Sequence, residues 1–323
     1  MYSGNNPGWP LPDGINSCRS YWWIQQICYS CMLELFTFIS GYVYAFGCSC
    51  NGGGNSLYSL LLKKTKRLII PALLFGVFYF ALFYSKNCFY LDALYDLLNG
   101  MGHLWYLVML FGVFIIDYFL SSICEKKNIK KIFQLVICLF IAIISVLIPN
   151  YFQLSKIAYF LFFFYLGKYI FIFRYQIKKY ITIENLSLSW TLYVSLFIVL
   201  VPVREGISSL VNCGDPRLNS LIVSFIRNLI VLIYSTFGVI AFWALFYKYS
   251  RPKHSKLIKW FNRNCFGCYI FHQFFLQFIF YKTQLPHLLG TYLLPFVACV
   301  ITLILSLLFS GFCTKTKFLK DVI

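Results

Sequence analysis

The chain has 323 residues, 60% hydrophobic, 21% aromatic and only 12% charged, with a mean hydropathy of +0.73. Soluble domains carry about twice that share of charge, so a soluble core is excluded and a polytopic membrane protein is expected. The net charge of +18 raises nucleic acid as a partner, but the placement of the basic residues excludes it.

Met1 to Tyr21 is rich in Gly, Pro and Asn and reads as an irregular leader. Residues 1–15 hold no Lys, no Arg and no apolar run, so a secretory signal peptide is not expected. Nine apolar segments follow, with cores at 28–47, 68–85, 103–120, 132–149, 157–174, 187–203, 222–247, 265–281 and 289–309. Each is near the length that spans a bilayer. None alternates every second residue as a barrel strand does. The expected fold is an all-α membrane helix bundle of about nine transmembrane helices, a single domain over 1–323.

The connections alternate in charge. Loop 48–67 holds Lys63, Lys64, Lys66 and Arg67, whereas 86–102 holds Lys86 alone. Loop 121–131 holds four lysines, and 150–156 only Lys156. Loop 248–264 holds Lys248, Arg251, Lys253, Lys256, Lys259 and Arg263, and 282–288 only Lys282. By the positive-inside rule the leader lies outside and the tail, 310–323, in the cytoplasm. The basic charge then serves topology first, and membrane lipids or an anionic cytoplasmic ligand second.

Cys28/Cys31 and Cys265/Cys268 are both C-x-x-C. This topology puts the two pairs at opposite faces, so no shared metal site is expected, and the cysteines read as small apolar residues. Gly52-Gly53-Gly54 lacks the Gly-Lys-Ser/Thr of a phosphate-binding loop.

Within the spans stand Glu34, His103, Asp117, Lys168, Arg227 and His272. Such groups pair across helices or mark function. Glu34 with Arg227 and Asp117 with Lys168 are the expected pairs, as packing devices. The histidines differ, because imidazole takes and returns a proton near neutral pH. His103 falls in Gly102-His103-Leu104-Trp105-Tyr106-Leu107, at the outer mouth of its helix. The span limits put His272 about 10 Å in from the cytoplasmic face, with Tyr269 on the same helix face. Lys63, Lys64 and Arg67 share a face before Pro71, a placement suited to a phosphorylated ligand.

In order along the chain stand Leu35-Phe36-Thr37-Phe38-Ile39-Ser40-Gly41-Tyr42, Lys64-Thr65-Lys66-Arg67 to Pro71, Gly102 to Leu107, Phe164-Tyr165-Leu166-Gly167, and Phe266 to His272. Together they resemble the acyltransferase 3 family of bacterial membrane proteins, including its fucose 4-O-acetylase-like branch. The resemblance implies about ten helices and transfer of an acyl group, often acetyl from acetyl-CoA, to hydroxyls of a cell-surface or lipid-linked carbohydrate. It assigns Lys64 and Arg67 to the CoA phosphates, with lysine replacing the first arginine of R-x-x-R. His103 and His272 become the candidates for proton handling, with no metal. Ser40, Tyr42, Trp105, Tyr106 and Tyr269 are expected to meet the substrate or hold the site together.

The chain departs from the family at its start. It enters at what looks like the second span, without the family's first helix and its histidine, and Met32 and Glu34 stand where the branch carries His and Pro. The alternative is therefore a catalytically degenerate homologue, or a non-enzymatic carrier or partner protein.

Overall fold

The computed structural model describes residues 19–50, 56–84, 90–211, 214–249, 255–283 and 285–316. These residues form helices and no strand. In order the α-helices are α1 (Arg19–Tyr29), α2 (Met32–Cys50), α3 (Leu57–Lys64), α4 (Ile70–Tyr79), α5 (Tyr90–Asn99), α6 (Trp105–Lys126) and α7 (Lys131–Ile144). Then come α8 (Leu154–Ile172), α9 (Arg174–Lys178), α10 (Ile183–Leu210), α11 (Pro216–Tyr249), α12 (Lys256–Lys282) and α13 (Leu285–Cys313). The π-helical turns Thr65–Ile69 and Phe80–Tyr84 prolong α3 and α4.

Seven helical stretches among the described residues are long and apolar enough to cross a membrane. The chain is thus an all-α polytopic membrane bundle. The other two expected spans also hold helices, each differing for a physical reason. Helix α7 and the 3-10 turn Ser145–Leu147 stop short, because Pro149 forces Ile148 into an extended conformation. Helix α12 has the length, but Asn264, His272, Gln273 and Gln277 interrupt its apolar half.

Most helices outrun their apolar cores. The start of α12 is set by Ser255, whose side chain accepts from the Ile258 amide, and the start of α10 by Thr182, which accepts from Asn185. Helix α1 begins inside the stretch expected to be irregular, and α5 lies within the expected loop 86–102.

The described residues group into two compact units. The first draws on Met1–Gln25, Lys66–Trp105 and Arg251–Ile323, and the second on Gln26–Thr65 and Tyr106–Ser250.

In the second unit α2 packs on α8 through two glycines. A Cβ at Gly41 would run into the backbone of Phe164, and one at Gly167 into the carbonyl of Phe38. Small residues let membrane helices approach this closely. Lys168 donates to Asp117 at 2.6 Å and to Ser121 at 3.1 Å, and Ser121 also meets the Tyr165 hydroxyl. The expected Asp117–Lys168 pair is therefore present. The expected Glu34–Arg227 pair is not. Glu34 accepts from Tyr159 at 3.2 Å, while Arg227 donates to the Arg204 carbonyl and to Ser208. Arg227 is satisfied by the neighbouring helix α10 and has no need of the carboxylate.

In the first unit α12 and α13 form an antiparallel hairpin. Ser310 bonds Asn264 near one end, and Ile279, Leu294 and Ala298 pack together near the other. Helix α4 runs beside α12 in the same sense, with Phe75 against Phe271 and Phe83, from the π turn after α4, against Phe274. Both helices are preceded or opened by basic residues, Lys66 and Arg67 for one, Lys256, Lys259 and Arg263 for the other. Large apolar side chains such as Phe46, Phe140 and Phe312 remain exposed, as a lipid-facing surface requires.

The cysteines divide. Cys31, Cys124, Cys138 and Cys313 are buried, while Cys28, Cys50, Cys265 and Cys299 are exposed. Burial of the first set fits small apolar residues. Among the described residues no three His, Cys, Asp or Glu side chains converge as a metal site.

Candidate functional site

The chain between α5 and α6 reverses through Gly100 and Gly102, at φ of 85° and 58°. Such angles favour glycine. At Gly100 a Cβ would meet the backbone of Trp105. This reversal leads into the 3-10 turn Gly102–Leu104, which carries His103 at the mouth of α6.

The turn rests against α12. His103 Nε2 lies 3.0 Å from the Ile270 carbonyl, and the Tyr269 hydroxyl donates to the His103 carbonyl at 2.6 Å. His272 Nδ1 lies 2.6 Å from the Tyr269 carbonyl on its own helix. The two imidazoles meet edge to face, with centroids 4.9 Å apart and planes at 71°. Tyr269 stands 5.3 Å and Tyr79 6.0 Å from the His103 ring. Both histidines, Tyr269 and Tyr79 belong to the first unit.

The pairing of His103 and His272 sets the two rings at one level, whereas the expected span limits set them at different depths. The apolar core 265–281 put His272 close to the start of its span. The helix begins at Lys256, so His272 stands about 24 Å along it. The helix continues through charged residues that a hydropathy reading leaves out.

Beyond the histidines lies an open apolar cleft of about 280 Å³, lined by Leu82, Phe83, Phe274, Phe275 and Phe278. Phe83 is one turn beyond Tyr79, and Phe275 one turn beyond His272. The π turn Phe80–Tyr84 forms part of the cleft wall.

The other expected site residues lie in different surroundings. Arg67 is exposed within the π turn Thr65–Ile69. The Lys64 ammonium sits over the Phe114 ring, 3.5 Å from its centroid, and 5.6 Å from that of Tyr44. Lys63 and Lys64 end α3, and Arg67 follows within the π turn. Lys63 and Arg67 are exposed while Lys64 is half-buried.

Ser40 bonds the Phe36 carbonyl one turn back. Tyr42 packs on Phe38 and edge-on to Phe171. Tyr106 is buried, with its hydroxyl 3.0 Å from that of Thr37. Trp105 is half-buried at the start of α6. Of the nine expected residues, the two histidines and Tyr269 form one constellation. Tyr79 and the Ile270 carbonyl join it without a sequence signal, because a tyrosine and a backbone carbonyl in apolar runs carry none.

Imidazoles so arranged can accept and return a proton. A sequence model of the acyltransferase domain family matches residues 6–311. No curated protein and no solved structure matches the chain.

Proposed function

The chain belongs to the acyltransferase domain family, and from that premise we propose that it is a membrane O-acyltransferase. It moves an acyl group, acetyl in the first instance, from acyl-CoA to a hydroxyl of a cell-surface or lipid-linked carbohydrate. The observation that carries this reading is the meeting of His103 and His272 in a chain matched to the family along 6–311.

Arg67 supports binding of the donor. It is exposed next to Lys66, and its guanidinium suits the paired oxygens of a phosphate. Lys64 contributes charge from its seat on the aromatic rings. Along the helix, Arg67 and Tyr79 are about 18 Å apart, a reach that an extended pantetheine arm covers. The thioester then comes to the histidines from the basic end. The apolar cleft beside them suits the hydrocarbon part of a lipid-linked acceptor better than a free sugar. Under this reading the protein lies in a bacterial inner membrane with its C-terminus in the cytoplasm. The shared sense of α4 and α12, each with basic residues at its start, agrees with that topology.

The test is transfer of labelled acetyl from acetyl-CoA by the purified chain in lipid bilayers. Lys64→Ala with Arg67→Ala should raise KM for acetyl-CoA at least about tenfold, the loss of one or two charge-assisted hydrogen bonds. Acetyl-CoA binding without turnover identifies a degenerate homologue. Movement of a solute with no dependence on acetyl-CoA identifies a carrier.

A further inference from the structure

We infer that His103 Nδ1 is the atom that takes the proton from the acceptor hydroxyl, and that Tyr269 is the residue that positions it. The inference rests on the acyltransferase reading and adds the residue, the nitrogen and the support.

A carbonyl oxygen only accepts hydrogen bonds. The contact of His103 Nε2 with the Ile270 carbonyl therefore requires the hydrogen on Nε2 and leaves the lone pair on Nδ1. The same argument at His272 puts the hydrogen on Nδ1, facing the Tyr269 carbonyl, and the lone pair on Nε2. The two rings thus have opposite tautomers, each imposed by α12.

Their two bare nitrogens are not equivalent. His103 Nδ1 is buried without a hydrogen bond of good geometry, with the Gln273 amide alongside the ring. A buried acceptor without a good donor costs about 1–3 kcal/mol. A hydroxyl is the donor that offsets this cost, and the acceptor substrate supplies one. His272 takes its bond from its own helix, which any histidine at such a position can do. His103 is held from outside its own turn twice, through its ring by Ile270 and through its carbonyl by Tyr269.

The acceptor oxygen attacks the thioester carbonyl carbon as its proton passes to His103 Nδ1. The tetrahedral intermediate collapses, the C–S bond breaks, and the proton passes from Nδ1 to the departing thiolate. An ester and free CoA thiol result, and the imidazole is again neutral with its hydrogen on Nε2.

Two measurements on the full chain in bilayers test this assignment. The first is ¹⁵N solid-state NMR of histidine-labelled protein, assigned by loss of signal in His103→Gln. It is expected to show a bare Nδ1 and a protonated Nε2 at His103; the opposite tautomer overturns the inference whatever the activity. The second is labelled acetyl transfer. His103→Gln, eluting as the wild type does on size exclusion, is expected to lose at least about a hundredfold in kcat, the usual share of a general base. Tyr269→Phe is expected to lower kcat with KM for acetyl-CoA unchanged, and to mix the His103 tautomers in the NMR spectrum. Turnover that survives His103→Gln overturns this assignment alone. Absence of acetyl-CoA turnover in the wild type overturns the acyltransferase reading and the assignment with it.

Discussion

Asp117 and Lys168 are 1% and 15% exposed and meet at 2.6 Å. Removing one partner of a buried pair leaves a charge uncompensated, at a cost of about 3–5 kcal/mol. Asp117→Asn should lose stability on that scale in thermal unfolding in detergent. Asp117→Leu with Lys168→Met should recover most of it, because an apolar pair of similar volume needs no compensation. Glu34 is as buried but meets a phenol rather than a cation. A glutamine keeps the acceptor oxygen, so Glu34→Gln should shift stability by less than about 1 kcal/mol. A loss as large as that of Asp117→Asn would restore the Glu34–Arg227 pair that the sequence suggests. Spacing alone ranks the two pairs equally. What separates them is that Arg227 finds the Arg204 carbonyl and Ser208 on α10, partners that no periodicity reveals.

The contact between α2 and α8 shows what a glycine contributes to an element. Gly167 faces the Phe38 carbonyl, and backbone does not yield as a side-chain tip does. Gly167→Ala should therefore cost about 1–3 kcal/mol by overpacking, read as a lowered unfolding temperature; an unchanged one would mean that the helices stand further apart. Both glycines sit in motifs visible in the sequence, Ser40-Gly41-Tyr42 and Tyr165-Leu166-Gly167, yet their mutual contact is not. Helix existence was legible in the same way, since long apolar runs leave few alternatives in a membrane. Helix ends were not. Ser255 and Thr182 cap α12 and α10 outside the apolar cores, and Pro149 shortens α7 by acting on the residue before it. The π turn at Thr65–Ile69 is equally silent in the sequence, and Arg67 is exposed within it.

At the scale of the whole molecule, two segments far apart in the chain meet, Gly102–Leu104 and the latter half of α12. Each was legible as a site candidate, because a histidine in an apolar run is costly without a task. Their meeting was hidden because the apolar cores 103–120 and 265–281 set the two histidines at opposite depths. Both histidines fall within the first unit, and their rings meet 4.9 Å apart. The family match runs from 6 to 311 and so covers both segments.

The most direct measurement is a double-mutant cycle on acetyl transfer from acetyl-CoA, with His103→Gln, His272→Gln and the double variant. Residues that act as a unit are strongly non-additive. The double variant should be no slower than His103→Gln alone, within about threefold. Losses that multiply would mean that the histidines act independently, and would contradict the pair as one site.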